Sequence, residues 1–170
     1  MKRRGFQDPY GDVVQRFNQI GVRYVVVGMS GINYYARKPR ETFATLDYDL
    51  FLEPTQNNVG KALNSLQKMG FQIGTNTGTF KPGDLKQVVH DRKTLVATTP
   101  EGLMVELLLE VSGYPFSELA KDAATFTVQR VPVRVGRLNK LLRSKRIAGR
   151  SKDRQFLQRY KILMEEEENK

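Results

Sequence analysis

The sequence predicts an α+β fold, a mixed β-sheet flanked by helices with further helices at its C-terminal end. Three observations carry that expectation. Short apolar runs at 23–27, 45–52 and 103–109 have the length and composition of strands; stripes at helical spacing, such as Val59, Ala62, Leu63, Leu66 and Met69, lie between them; and from Leu138 onward only helical spacing remains. The 170 residues suit one domain with a real core. The expected division is an α+β core over 1–136, a helical segment over 137–164 packing on it, and a disordered tail over 165–170.

Residues 1–9 lack periodicity and read as loose. Val13, Val14, Phe17 and Ile20 then recur at helical spacing, and Gly21 stops that helix. The first strand, 23–27, ends at Gly28-Met29-Ser30-Gly31, a tight strand-to-helix turn whose small residues let the backbone approach another group, with Ser30 suited to cap the helix that follows. Ile32, Tyr35 and Ala36 are the inner face of that helix, Pro39 marks its end, and Arg37, Lys38, Arg40 and Thr42 make a basic connection into the second strand, 45–52. Pro54 and Thr55 close this strand, and the stripe from Val59 to Met69 is a helix closed by Gly70.

Another strand starts at 71–74. The glycines and Pro82 across 76–83 indicate a hairpin or loop, and strands are expected at 87–90 and 94–98. The run 103–109 is highly apolar, with a single carboxylate, Glu106, at its middle. A short helix at 115–120 and strands at 125–128 and 131–135 precede the helical third. There Leu138, Leu141, Leu142 and Ala148 form one stripe ending at Gly149, and a second helix starting at Ser151 buries Phe156, Leu157, Tyr160 and Leu163.

The residues with the clearest chemistry are Asp47 and Asp49. A strand turns successive side chains to opposite faces, so these two share one face while Leu46, Tyr48 and Leu50 share the other. Like charges held together in partly buried surroundings call for a cation, and a divalent metal is the remedy; the alternative is one solvated face of an ordinary strand. Composition narrows the metal. There is no cysteine and one histidine, His90, which excludes disulfides, thiolate zinc sites and cysteine nucleophiles and leaves hard, oxygen-ligated ions. No apolar run approaches the ~20 residues that span a bilayer, and the N-terminus has no apolar signal core, so a cytoplasmic protein with no membrane partner is expected. The net charge is +10, and +14 without the four glutamates 165–168, which favours polyanionic partners or anionic substrates.

Lys145 stands out by position. It lies four residues after Leu141 and three before Ala148, and so projects from the apolar stripe, as Asp153 does three residues before Phe156. Inward charges need partners. Either the two pair and tie the helices together, or Lys145 meets a bound anion near Asp47. Arg143, Arg146, Arg150, Lys152 and Arg154 read as a solvated face, or with Arg37, Lys38 and Arg40 as the lining of a groove for RNA. Glu106 is either an edge-strand residue facing water or a third carboxylate of the same site.

The order strand, Val27-Gly28, helix, Thr45 with Asp47 and Asp49, then a later strand with Glu106 resembles the nucleotidyltransferase superfamily with the minimal, DNA polymerase beta-like fold. The stretch Lys145-Arg146-Ile147-Ala148-Gly149-Arg150-Ser151-Lys152-Asp153 is similar to the Lys-x-x-x-Gly-Arg-x-Lys-Asp segment of its uncharacterised and toxin–antitoxin-associated members. The resemblance spans roughly residues 20–160. Met29 stands where the family has a second Gly or a Ser, and Glu106 is one methylene longer than the commoner Asp. The resemblance implies a nucleotidyltransferase-like fold and transfer of a nucleoside monophosphate from an NTP to an RNA end, a protein hydroxyl or a small molecule. It implies Asp47, Asp49 and Glu106 as catalytic and metal-holding residues for Mg2+ or Mn2+, and Gly28, Ser30, Thr45 and Lys145 as the nucleotide-binding set. The alternative it leaves open is a catalytically inactive relative that binds nucleic acid or protein, in a toxin–antitoxin pair.

Overall fold

No single strand here is long enough to hide its own apolar side chains. In the computed structural model, which describes residues 9–168, they pool into one eight-stranded mixed sheet. The strands are β1 Tyr24–Val26, β2 Tyr48–Leu52, β3 Gln72–Thr75, β4 Gly78–Thr79, β5 Leu95–Thr98, β6 Met104–Leu108, β7 Ala124–Val128 and β8 Val131–Val135, in the order β4-β3-β5-β6-β2-β1-β8-β7. Helices α1 Gly11–Ile20, α2 Gly28–Asn33, α3 Gln56–Lys68, α4 Leu85–His90, α5 Phe116–Ala120, α6 Leu138–Ala148 and α7 Ser151–Glu168 complete an α+β architecture with C-terminal helices. Among the described residues no helix is long and apolar enough to cross a membrane.

Strand β2 sits at the centre, antiparallel to β1 and parallel to β6. Leu50, Phe51 and Leu52 are almost wholly inaccessible, so both faces of this strand are covered. Burying each such side chain contributes about 1.5–3 kcal/mol. On one face Tyr48 stacks on Tyr10 at 4.7 Å; on the other, Phe51 meets Phe116 of α5 edge-on at 5.4 Å. Val13, Val14 and Phe17 of α1 and Val59, Ala62 and Leu66 of α3 fill the rest of the core. Thr55 caps α3 by accepting from the Asn58 N–H, and Gly149, left-handed at φ +61°, turns α6 into α7.

Several boundaries differ from the sequence expectation. The segment 87–90 is the end of helix α4, not a strand. A Pro82–Asp84 turn, closed by the Lys81 N–H donating to Asp84 Oδ2, leads into it, and Val88 and Val89 are both buried; two adjacent apolar residues carry no period of their own. Strand β2 begins at Tyr48, because residues 46–47 bend and leave Leu46 89% exposed instead of facing the core with Leu50. Helix α2 begins at Gly28 itself and ends at Asn33, whose side-chain amide exchanges two hydrogen bonds with the Phe43 backbone. Tyr35 and Ala36 therefore lie beyond it. Ser30 does not cap α2, being already inside its first turn. At the other end α7 continues through Glu168 where a tail is expected from 165, since half-buried Leu163 and Met164 prolong its stripe and glutamate is a good helix former. The loose segment expected at 1–9 falls, but for Pro9, outside the described residues, as do residues 169–170.

Candidate metal centre and its cleft

The pairing of β2 with β6 sets Asp49 directly opposite Glu106. Side chains opposed across a ladder share a face, so two carboxylates from residues far apart in the chain meet there. Strand β6 has partners on both sides, β2 and β5, so Glu106 is not on an edge. Asp47 joins from the bend before β2. Thr45 Oγ1 donates to Asp47 Oδ1 at 2.9 Å and to its carbonyl at 3.1 Å. Ser30 Oγ also donates to the Asp47 carbonyl, and the Asp49 N–H donates to Ser30 Oγ, each at 3.1 Å, so one hydroxyl straps α2 to the start of β2. One oxygen from each of Asp47, Asp49 and Glu106 lies within 4.8 Å of the others.

Gly28 makes room for this cluster. Its φ is +63°, a conformation that disfavours side chains, and a Cβ there would run into the Asp49 carboxylate. The carboxylates strain one another. Burial, with the neighbouring charge of Asp47 next, pushes Asp49 up to about 9. Glu106 is raised, first by its hydrogen bond with Asp47 and then by burial, while the same hydrogen bond holds Asp47 below the usual carboxylate range. Asp49 Oδ1 is fully buried and has no hydrogen-bond partner among the described residues. An orphaned buried acceptor costs about 1–3 kcal/mol, more when charged. Three carboxylates converging on such an atom fit a hard divalent ion, and this trio can hold one.

The opposite wall is cationic. Asp153 is 1% exposed and accepts from Arg150 Nε at 2.7 Å and Nη2 at 3.4 Å, with Lys145 Nζ at 3.6 Å. The Lys145 ammonium also lies 4.8 Å from the centre of the Phe156 ring. Burial would raise Asp153, but the hydrogen bonds and charge of Arg150, with the charge of Lys145, outweigh it and hold the carboxyl low. Lys145 is lowered by its own burial, against the pull of Asp153 and Asp49.

A cleft of about 210 Å3 lies between the walls, lined by Gly28, Met29, Thr45, Asp47, Asp49, Glu106, Leu108, Lys145, Arg150, Lys152, Asp153 and Phe156. Of the residues singled out in the sequence, six line it together: Asp47, Asp49, Glu106, Gly28, Thr45 and Lys145. Ser30 is beneath it, engaged with backbone. Arg150 and Lys152, which read as solvated from the sequence, also line it, and the charge of Lys152 reaches Glu106. The three-residue step from Arg150 to buried Asp153 is the signal that marks them. No family model and no curated protein matches this chain.

Proposed function

We propose that the protein is a metal-dependent nucleotidyltransferase that moves a nucleoside monophosphate from an NTP to an acceptor hydroxyl, on an RNA end, a protein or a small molecule. The observation that carries this reading is the buried, unpartnered Asp49 Oδ1 inside a three-carboxylate cluster that faces a cationic wall. The order of Gly28, Asp47, Asp49 and Glu106 and the segment from Lys145 to Asp153 supply the nucleotidyltransferase resemblance. Asp47, Asp49 and Glu106 would hold Mg2+ or Mn2+. Such an ion supplies neutralisation of the triphosphate and orientation of the acceptor oxygen.

The remaining roles belong to the chain. Lys145, Arg150 and Lys152 attract the polyphosphate across the cleft, with Arg150 suited to paired contacts with phosphate oxygens. Thr45 and Ser30 hold the Asp47 and Asp49 backbone so that the carboxylates keep one orientation. Gly28 keeps the space in front of Asp49 open. In the reaction the acceptor oxygen bonds to the α-phosphorus as the bond to the pyrophosphate oxygen breaks, pyrophosphate leaves, and the acceptor's proton passes to water.

Calorimetry with a non-hydrolysable NTP, with and without Mg2+, tests this. Mg2+-dependent binding is expected in the wild type and is lost in Asp47→Asn and Asp49→Asn variants that still fold. Unchanged NTP affinity in both variants would remove the metal site. Salt-steep binding of nucleic acid without any NTP binding would instead identify a binding module that has lost catalysis.

A further inference from the structure

The two edges of the sheet differ. At one end β4 is two residues long, Gly78–Thr79, and is followed by Lys81 and Pro82; shortness, charge and proline all keep a free edge from pairing. At the other end β7 is five residues long, Ala124–Val128, and pairs only with β8. From Ala123 to Gln129 it carries no charge, proline or glycine, and its threonines, valine and phenylalanine suit a strand.

The hairpin to β8 decides which backbone groups of β7 face out. Gln129 and Arg130, at φ +50° and +69°, make a two-residue turn, so its closing pair, Val128 and Val131, is hydrogen-bonded, and alternation makes Phe126–Val133 and Ala124–Val135 the next bonded pairs. Thr127 stands opposite Pro132, which has no N–H to give. Thr125 and Thr127 therefore turn their N–H and C=O groups away from β8, and no backbone hydrogen bond to these groups is made among the described residues. The strand is also a near-palindrome about Phe126. Thr125 mirrors Thr127, Ala124 mirrors Val128, and beyond them Asp122 mirrors Arg130. Asp122 accepts from Lys140 through Oδ1 at 3.0 Å and its side chain stays 40% exposed, while Arg130 is exposed with no side-chain partner among the described residues.

We propose that β7 is the interface of a homodimer, in which two copies pair this strand antiparallel about a two-fold axis through Phe126 and so join their sheets into one. Thr125 of each copy then exchanges two hydrogen bonds with Thr127 of the other. Phe126 meets its counterpart on the face where Tyr35 packs edge-on against it at 4.9 Å and Tyr34 at 5.6 Å; Ala124 meets Val128 there, and the threonines line the opposite face. Asp122 faces Arg130 at both ends, shared with Lys140, which keeps Glu118 at 4.0 Å as a second carboxylate. A slip of two residues either way keeps hydrogen bonds but loses both Asp122–Arg130 pairs, so charge selects the register. Within the paired strands no like charges stand opposite each other, and Arg134, on the threonine face of β8, is three strand spacings, roughly 14 Å, from its counterpart. The contact is isologous and closes at two chains. Strands β1 and β8 separate β7 from β2, so the pairing does not depend on what the cleft binds.

Sedimentation equilibrium of the full chain over a concentration series, with amide hydrogen exchange at low and high protein concentration, is the test. A dimer is expected, with the Thr125 and Thr127 amides exchanging roughly tenfold or more slower at the high concentration. Thr127→Pro removes an outward N–H without touching the ladder to β8, and should give a monomer with an unchanged circular dichroism spectrum. Thr79→Pro, at the other edge of the sheet, should leave the dimer intact. Arg130→Asp, at a left-handed turn position that Asp tolerates, should weaken dimerisation about tenfold, because the pair is lost at both ends. A wild type that stays monomeric throughout, a Thr127→Pro chain that dimerises as well as wild type, or loss of the dimer in both proline variants overturns the proposal. So does protection of the two amides that is the same at every concentration, which would mean that another segment of the same chain covers this edge.

Discussion

Asp49 is a half-buried carboxylate with one fully buried oxygen and Asp153 is a buried one, and the useful contrast is in their partners.

 Asp153 is the more enclosed, at 1% exposed, with the Lys145 and Arg150 side chains packed against it. Asp153 accepts from a guanidinium, has an ammonium 3.6 Å away, and is held below the usual carboxylate range. Asp49 has carboxylates for neighbours, one oxygen without a hydrogen-bond partner among the described residues, and is pushed up to about 9. A buried charge with its cations supplied by the chain is a structural joint. One without them is stable only when a proton or an external cation completes it, and that incompleteness marks the functional site.

The largest effect should come from opening the complete site. Asp153→Ala leaves Lys145 inward-facing without its carboxylate, and should cost about 3 kcal/mol, the lower end for a broken buried pair because Arg150 can turn to water. That is roughly 6–12 °C in Tm for a chain of this size. A thermal melt within a degree of wild type would mean that Asp153 does not join α6 to α7.

Completing the incomplete site should have nearly the same size and the opposite sign. Mn2+ or Mg2+ at about 100 times its Kd should stabilise the wild type by about 2.7 kcal/mol. Asp49→Asn should abolish that gain while leaving the metal-free protein at least as stable as wild type, since a neutral Asn needs neither the proton nor the cation that Asp49 needs there. Melts with and without metal measure both.

The two aspartates should also differ in pH dependence. The folded-state value of Asp49 is raised, so the folded protein holds a proton that the unfolded chain releases above about pH 4. Metal-free stability therefore falls as pH rises from about 4 towards 9, by at most about 1.4 kcal/mol per pH unit, and Asp49→Asn should flatten that slope. Asp153 is lowered, so its contribution is present at neutral pH and is lost only as pH falls below about 4. Denaturant melts at several pH values without metal separate the two windows.

The smallest effect in stability is expected for Lys145→Met. Arg150 still holds Asp153, and Met keeps the apolar stem against Phe156, so the loss should be about 1 kcal/mol. NTP affinity should fall by about 1.5–3 kcal/mol if the ammonium also meets phosphate. A lower Tm with unchanged NTP affinity would assign Lys145 wholly to the joint.

Much of this was legible in the sequence because it depends on local spacing. The two-residue step puts Asp47 and Asp49 on one side, the helical periods of α1, α3, α6 and α7 follow their apolar stripes, and the inward positions of Lys145 and Asp153 can be counted along those stripes. Short or bent segments were not legible. The pair Val88 and Val89 carries no period, and the bend at 46–47 that turns Leu46 outward is set by the Ser30 and Thr45 hydroxyls holding the Asp47 carbonyl.

What only the tertiary structure decided is which elements meet. Nothing local states that β6 lies beside β2 with Glu106 opposite Asp49, that Arg150 and Lys152 turn into the same cleft, or that Asp49 Oδ1 is left without a hydrogen-bond partner among the described residues. The physical reason is that the period of a segment is a property of its own residues, whereas strand neighbours and register follow from burying apolar surface across the whole chain. Leu50, Phe51 and Leu107 select that pairing, and the carboxylates between them are carried along with it.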